Sequence, residues 1–118
     1  PSAPPLATRR QHPRAAYLTP VRVARKGQQL VDASSEDISE GGMLLVGPRL
    51  LEDGEEVEVR FALPISGKVA IVGAVARWSR AARDGRGAIG LAFEQIDEPA
   101  RAEIGKYVRY FGQTPESS

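Results

Sequence analysis

The hydrophobic residues of this chain recur mostly at every second position, which is typical of β-strands with one buried face. The clearest case is residues 56–63, where the apolar positions are Val57, Val59, Phe61 and Leu63. Apolar runs at 17–23, 28–34, 43–46, 67–78 and 88–93 are separated by turn residues and predict further strands. In the run at 67–78, Val69, Ile71 and Val75 are predicted to share one face. Short strands of this kind predict an antiparallel barrel or sandwich.

The last part of the chain changes to a helical period. Ile104, Tyr107, Val108 and Phe111 are spaced three or four residues apart, which predicts one helix over about 97–112. Asp97 suits the N-cap position, and Gly112 ends the pattern. A helix with one apolar stripe most simply packs over a barrel end, while a partner-binding helix is the less favoured alternative. The fold class is therefore all-β with one C-terminal helix.

The start of the chain is polar, basic and rich in proline. Residues 1–16 hold four of the nine prolines and predict a flexible arm before a barrel at 17–112, while residues 113–118 are predicted to be disordered. The first 26 residues carry six of the sixteen basic side chains and none of the fifteen acidic ones. This asymmetry favours a compact anion as partner over a nucleic acid, which usually requires a wider basic face. On charge alone, a solvated tail explains the pattern equally well.

Composition excludes several classes of protein. The 118 residues are 42% hydrophobic and 26% charged, which indicates one globular domain, and no apolar run approaches the roughly 20 residues of a membrane span. No membrane partner is therefore expected, and the absence of cysteine favours the reducing cytoplasm as the location. The chain has no cysteine nucleophile, and its single histidine, His12, and scattered carboxylates form no recognisable metal site, so no enzyme and no cofactor is predicted. The start at Pro1 is consistent with a fragment of a longer protein.

Two short clusters carry the candidate chemistry. The first is Arg10-x-x-x-Arg14, which Pro13 keeps out of a regular helix, so both guanidinium groups can turn toward one ligand. Guanidinium groups fork onto phosphate oxygens or onto the O6 and N7 acceptors of guanine. The second is Asp37-x-Ser39-x-x-Gly42. Its carboxylate can accept hydrogen bonds from the donor edge of guanine, while its hydroxyl and glycine allow close approach of a phosphate.

Neither cluster is decisive alone, because arginine pairs on arms are commonly solvated and Asp and Ser are ordinary turn formers. Together, however, their order and spacing resemble the PilZ domain, a bacterial receptor module for cyclic di-GMP. Arg10 and Arg14 match the R-x-x-x-R loop of that family, and the second cluster matches its [DN]-x-S-x-x-G motif. The runs 76–78 and 90–93 are similar to its later core strands. The resemblance extends from Arg9 to Gly112 and implies a six-stranded antiparallel barrel.

The resemblance also implies roles for individual residues. Arg10 and Arg14 would clamp phosphates and guanine, and Asp37 would accept from guanine N1–H and N2–H₂. Ser39 would bind a phosphate or orient its loop, while Gly41 and Gly42 would allow the turn. Arg9, immediately before the loop, favours a bound pair of mutually intercalated ligands over a single one, although a solvated arm charge explains it nearly as well.

The implied function is a cyclic di-GMP receptor in which ordering of the arm transmits the signal to a protein partner or a fused effector domain. One alternative is a PilZ-like interaction adaptor that binds no nucleotide. Another is a single-stranded nucleic-acid-binding barrel, which the acidic body disfavours. The indole of Trp78 is predicted to lie in the core rather than beside a ligand. Arg80, Arg83 and Arg86 are predicted to lie in a solvated loop, with the edge of the ligand or a protein partner as the less favoured alternatives.

Overall fold

A computed structural model describes residues 13–25, 30–47, 51–81 and 86–112. The described residues form seven strands and one helix: β1 Ala15–Ala16, β2 Pro20–Arg25, β3 Leu30–Ser39, β4 Gly42–Gly47, β5 Glu56–Ala62, β6 Val69–Ala81, β7 Gly87–Gln95 and α1 Glu98–Phe111. None of these residues forms a helix long and apolar enough to cross a membrane. The predicted turn at 26–27, the residues Arg9, Arg10 and Arg83, and the tail 113–118 lie outside the described residues.

Six of the strands form a closed barrel. Their order is β3, β2, β5, β6, β7 and β4, and β4 pairs again with β3, so the sheet has no open end. Every pairing is antiparallel. The predicted six-stranded antiparallel barrel with one C-terminal helix is therefore confirmed.

The core consists of the inward positions of these strands, closed at one side by α1. Ile38, Leu45 and Val59 are fully buried, and Ile104 and Val108 of α1 belong to the same cluster. On β6, Val69 and Ile71 share one face as predicted, but it is the solvent face, where they are 70% and 58% exposed. Val75 does not share this face, because the pairing with β7 shifts register after Gly73 and Val75 is buried. The smaller residues of β6, among them Ala70, Val72, Ala74 and Ala76, occupy the interior.

The helix follows its predicted bounds with two differences. Asp97 occupies the N-cap position, but its side chain makes no cap hydrogen bond. Phe111 is 69% exposed instead of packing on the barrel, and its ring lies 5.1 Å from that of Tyr107. Gly112 ends the helix, and its N–H donates to the carbonyl of Val108 over 2.7 Å.

The barrel ladder begins within the stretch that the sequence predicts as an irregular arm. Ala15 pairs with Ile38 and Ala16 with Asp37, so β1 extends β2 along the same side of β3. Between β1 and β2 the regular pairing with β3 is interrupted, and the side chain of Ser35 makes hydrogen bonds to the backbone there. Its fully buried hydroxyl accepts from the N–H of Thr19 over 3.0 Å and donates to the carbonyl of Tyr17.

Two carboxylates should make the stability of the barrel sensitive to acid. Arg25 donates two hydrogen bonds to Glu55, at 2.5 and 3.1 Å, and thereby lowers the pKa of that carboxyl. Burial raises the pKa of Glu103, but the hydrogen bonds from Ser66 and Ile65 together with the charge of Lys68 lower it by more, so the net direction is down. A carboxyl with a lowered folded pKa stabilises the fold fully above its unfolded pKa of about 4.3, and this contribution is lost as the pH falls through the folded value.

We therefore expect the midpoint of thermal unfolding to fall as the pH drops below about 4.3, and this decrease to be shallower in Glu55→Gln and Glu103→Gln. Each variant should be less stable than the parent at neutral pH, by about 1 kcal/mol or less for the partly exposed ion pair. Thermal unfolding followed by circular dichroism across this pH range provides the measurement. If the unfolding midpoint of both variants fell with decreasing pH as steeply as that of the parent, Glu55 and Glu103 would not be the cause of the acid sensitivity.

Candidate functional site

Antiparallel pairing of β1 with β3 brings the two sequence clusters together. Since Ala15 faces Ile38 and Ala16 faces Asp37, the same register continued by one residue places Arg14 opposite Ser39. Arg14 Nη1 donates to Asp37 Oδ1 over 3.2 Å, although the two residues are 23 positions apart. Their side chains are 54% and 27% exposed, so both remain accessible to a ligand.

The turn after β3 is organised by Ser39. Its hydroxyl accepts from the N–H of Gly41 over 3.2 Å and donates to the carbonyl of Gly42 over 3.4 Å. The side chain is almost completely buried. Of the two roles expected for Ser39, these contacts correspond to orientation of the loop.

The glycine at position 42 serves a different purpose from the one expected. Its φ is not positive, so it is not required by an unusual turn conformation. Instead, a methyl group at Gly42 would overlap the carbonyl oxygen of Leu91 on the neighbouring strand β7. Gly42 is therefore needed for the close approach of β4 to β7. The hydrogen bond that Phe93 N–H donates to the Gly41 carbonyl over 2.8 Å continues the pairing of these strands into the turn.

These residues border an open cleft of about 220 Å³ on the barrel surface, named here the β4–β7 cleft. Arg14, Ser39, Gly41 and Gly42 line one side, and Arg77, Trp78 and Gly90 line the other. The floor has little side-chain bulk because Gly42 pairs with Ala92. A flat ring could therefore lie close to the backbone.

The structure places Trp78 in this cleft, so the prediction of a core indole is wrong. Continued alternation from Ala74 and Ala76, which are buried, would turn Trp78 inward. However, Ala76 pairs with Leu91 and Trp78 with Gly90, so Arg77 is an extra residue in a β-bulge. The bulge reverses the faces that follow it and sends the indole outward, where it is 37% exposed.

Gly90 provides the space that the indole occupies. A Cβ at this position would come within 2.5 Å of Trp78 Cε2. The guanidinium carbon of Arg80, which lies in β6 and not in the predicted loop, is 4.8 Å from the ring centroid, a cation–π distance. Sequence reasoning missed Arg77, Trp78 and Gly90 as site residues, and the available signal was a glycine opposite the chain's single tryptophan.

The charges around the cleft favour an anion. Arg14 and Arg77 line it, and Arg80 lies over its indole. A larger cleft of about 430 Å³ lies elsewhere on the barrel and is lined by Glu56, Glu58 and Glu94 with Arg25. Since Arg25 is already paired with Glu55, that surface would repel a phosphodiester. No group of three or more potential metal-ligating side chains occurs within the described part of the chain.

A comparison with protein-family models matches residues 8–110 to the PilZ domain. The match covers most of the chain and both sequence clusters. The chain belongs to the PilZ domain family. PilZ domains are ligand-binding receptor domains and are not a known enzyme family. A search of curated protein sequences gave no match.

Solved structures of PilZ proteins share this fold. The inhibitor of motility MotI/DgrA from Bacillus subtilis superposes with a TM-score of 0.77 at 19% identity, covering 86% of this chain and 50% of that protein. The PilZ domain of YcgR from Escherichia coli, determined with c-di-GMP, gives 0.67 at 15% identity, with 87% and 91% covered. MrkH, described as a c-di-GMP-dependent transcription regulatory factor, gives 0.64 at 14% identity, with 86% and 50% covered. The chain thus spans about half of the Bacillus protein.

Proposed function

We propose that this chain is a receptor for cyclic di-GMP and that it binds the nucleotide in the β4–β7 cleft. The observation that carries the proposal is the contact between Arg14 and Asp37, which joins the two family motifs at the edge of the cleft. The presence of c-di-GMP in the structure of the YcgR domain supports the same ligand.

The two walls of the cleft, together with Asp37 beside Arg14, suit different parts of the nucleotide. Arg14 forks onto a phosphate or onto the acceptor edge of guanine, and Asp37 accepts from guanine N1–H and N2–H₂. The Arg14–Asp37 ion pair is exposed, so it contributes about 1 kcal/mol or less, and ligand contacts can replace it at little cost. Trp78 offers a π-face on which a base can stack.

The arm completes the proposed site. At about 220 Å³, the cleft is smaller than the roughly 300–1,000 Å³ of most small-molecule pockets, and Arg14 lies where the chain leads back to Arg10 and Arg9. We propose that Arg10 adds a second phosphate contact and that Arg9 supports an intercalated pair of ligands. Fixing the arm against the barrel would create the surface that a protein partner or a fused effector domain recognises.

Isothermal titration calorimetry with cyclic di-GMP, cyclic di-AMP and GMP tests this proposal. We expect saturable binding of cyclic di-GMP with a stoichiometry near two, and binding of cyclic di-AMP weaker by about tenfold to a hundredfold, because adenine lacks the donor edge that Asp37 accepts from. A stoichiometry near one would contradict the intercalated pair. Absence of binding would refute the receptor and leave the interaction adaptor.

Trp78 provides a further test of the location of the site. We expect Trp78→Ala to weaken cyclic di-GMP binding by about five- to a hundredfold through the lost stack, and Trp78→Phe to weaken it less. Gly90→Ala should also weaken binding, because the added methyl displaces the indole. Since Trp78 is the chain's single tryptophan, its fluorescence should report the titration directly.

The matched control is Tyr110→Ala, which removes an aromatic ring that is 78% exposed near the end of α1. Tyr110 is not among the residues that line the cleft, so binding should be unchanged. Parent-like affinity of Trp78→Ala would exclude the indole as a stacking surface.

A further inference from the structure

Gly105 lies inside helix α1, where glycine is less favourable than alanine, so its presence calls for a structural reason. The reason is the side chain of Glu40, which lies against this position. A Cβ at Gly105 would lie 2.5 Å from Oε2 and 2.9 Å from Cδ of Glu40, and 3.4 Å from Nη1 of Arg109. The missing side chain thus leaves a notch in the helix that the carboxylate of Glu40 occupies.

Glu40 belongs to the turn that forms one wall of the β4–β7 cleft. Its neighbours Ser39 and Gly41 both line the cleft and are joined by the 3.2 Å bond from Gly41 N–H to Ser39 Oγ. Glu40 itself contacts the helix instead. The turn therefore borders the cleft on one side and contacts α1 on the other.

The same helix supports β1 and the preceding residue, Arg14. The hydroxyl of Tyr107 donates to the carbonyl of Ala16 over 2.7 Å. At the helix end, a Cβ on Gly112 would lie 2.6 Å from the carbonyl oxygen of Arg14, so these backbones are in close contact. Both segments that contribute motif residues to this wall of the cleft thus rest on α1.

We propose that Glu40 and Gly105 are positioning residues, and that the seat of Glu40 in the helix notch sets the affinity of the cleft for cyclic di-GMP. The inference rests on the proposed function for its ligand. Neither residue need touch the nucleotide. Because α1 contacts the turn through Glu40 and the segment of Arg14 through Tyr107 and Gly112, a displacement of the helix moves this wall of the cleft relative to the wall that carries Trp78. A partner that binds α1 would therefore alter ligand affinity, and the ligand would alter partner affinity by the same factor.

A double-mutant cycle tests the contact. Gly105→Ala fills the notch and moves the Glu40 carboxylate, the end of a flexible side chain, out of its seat; because that seat holds the turn, cyclic di-GMP binding should weaken by about 2- to 30-fold. Glu40→Ala should weaken it less, because it loosens the turn without a clash. The double variant should bind close to the parent, because the new methyl enters the space that the carboxylate vacated; this non-additivity is the signature of direct contact. Ala102→Ser, an addition at an exposed position of the same helix, is the matched control and should bind as the parent does.

Hydrogen exchange separates this inference from the proposed function. In Gly105→Ala without ligand, the amides of Gly41 and Phe93, which fix the turn, should exchange faster than in the parent, and the double variant should restore their protection. This result would support the positioning of the turn by Glu40 and Gly105 even if the parent bound no nucleotide. Lowered thermal stability of Gly105→Ala with parent-like affinity and parent-like exchange would overturn the inference, as would a double variant without rescue. If Gly105→Ala does not fold, Glu40→Ala alone decides, since parent-like exchange in that variant would refute the inference.

Discussion

Replacing Arg14 with alanine is expected to weaken cyclic di-GMP binding by about tenfold to a hundredfold while the barrel stays folded. The loss follows from removing one charge-assisted contact to the ligand, of about 1.5–3 kcal/mol. The fold should persist because the Arg14 side chain is 54% exposed and its ion pair with Asp37 contributes about 1 kcal/mol or less. Calorimetry gives the affinity, and thermal unfolding gives the stability.

The chain offers a matched control in Arg22→Ala. Arg22 is exposed on β2 and faces Asp32 at 3.5 Å, so its removal takes away the same charge and a comparable surface ion pair. It does not border the β4–β7 cleft. Equal losses of affinity in the two variants would mean that Arg14 acts only through overall charge, and parent-like binding of Arg14→Ala would refute its role in the site.

Gly42→Ala should have the largest effect on stability. Its methyl group would overlap the carbonyl oxygen of Leu91, a backbone atom that cannot move aside without separating β4 from β7. We expect a loss of at least about 3 kcal/mol, which corresponds to a decrease of roughly 10–20 °C in the unfolding midpoint of a domain of this size. Thermal or urea unfolding provides the measurement.

Gly73→Ala separates this clash from the general effect of adding a methyl group to a strand glycine. A Cβ at Gly73 would meet the side chain of Gln95, with the closest atoms at 3.2 Å, and Gln95 is exposed and can shift. Its cost should stay below about 1 kcal/mol. If Gly42→Ala were no more destabilising than Gly73→Ala, the close approach of β4 and β7 would not explain the glycine.

Much of the fold could be predicted from local patterns. Strict alternation located β5, and helical spacing located α1, because each pattern follows directly from the geometry of its element. The faces of β6 were harder to predict, since the interior at that strand takes alanines while Val69 and Ile71 face solvent. The exposure of Phe111 likewise depends on where the barrel surface ends, which spacing along the helix does not record.

The candidate site was partly predictable, for a related reason. The two family motifs identify Arg14 and Asp37, and antiparallel pairing of β1 with β3 brings these residues into contact. Trp78 was misplaced because a bulge at Arg77 shifts the register by one residue, and the need for a bulge arises from closing the barrel rather than from the local sequence. The roles of Arg9 and Arg10 stay predictions, since both lie outside the described residues.

Closure of the sheet also limits how this domain can meet another protein. Each of the six barrel strands hydrogen-bonds with neighbours on both sides. The short β1 contacts α1, where the hydroxyl of Tyr107 donates to the carbonyl of Ala16. Within the described residues, the barrel therefore has no unpaired strand available for β-augmentation, the mode of assembly in which a partner adds a strand to an exposed edge. Contact of the described barrel with another protein would therefore depend on side chains, so single substitutions on the outer surface should alter such contact without opening the barrel.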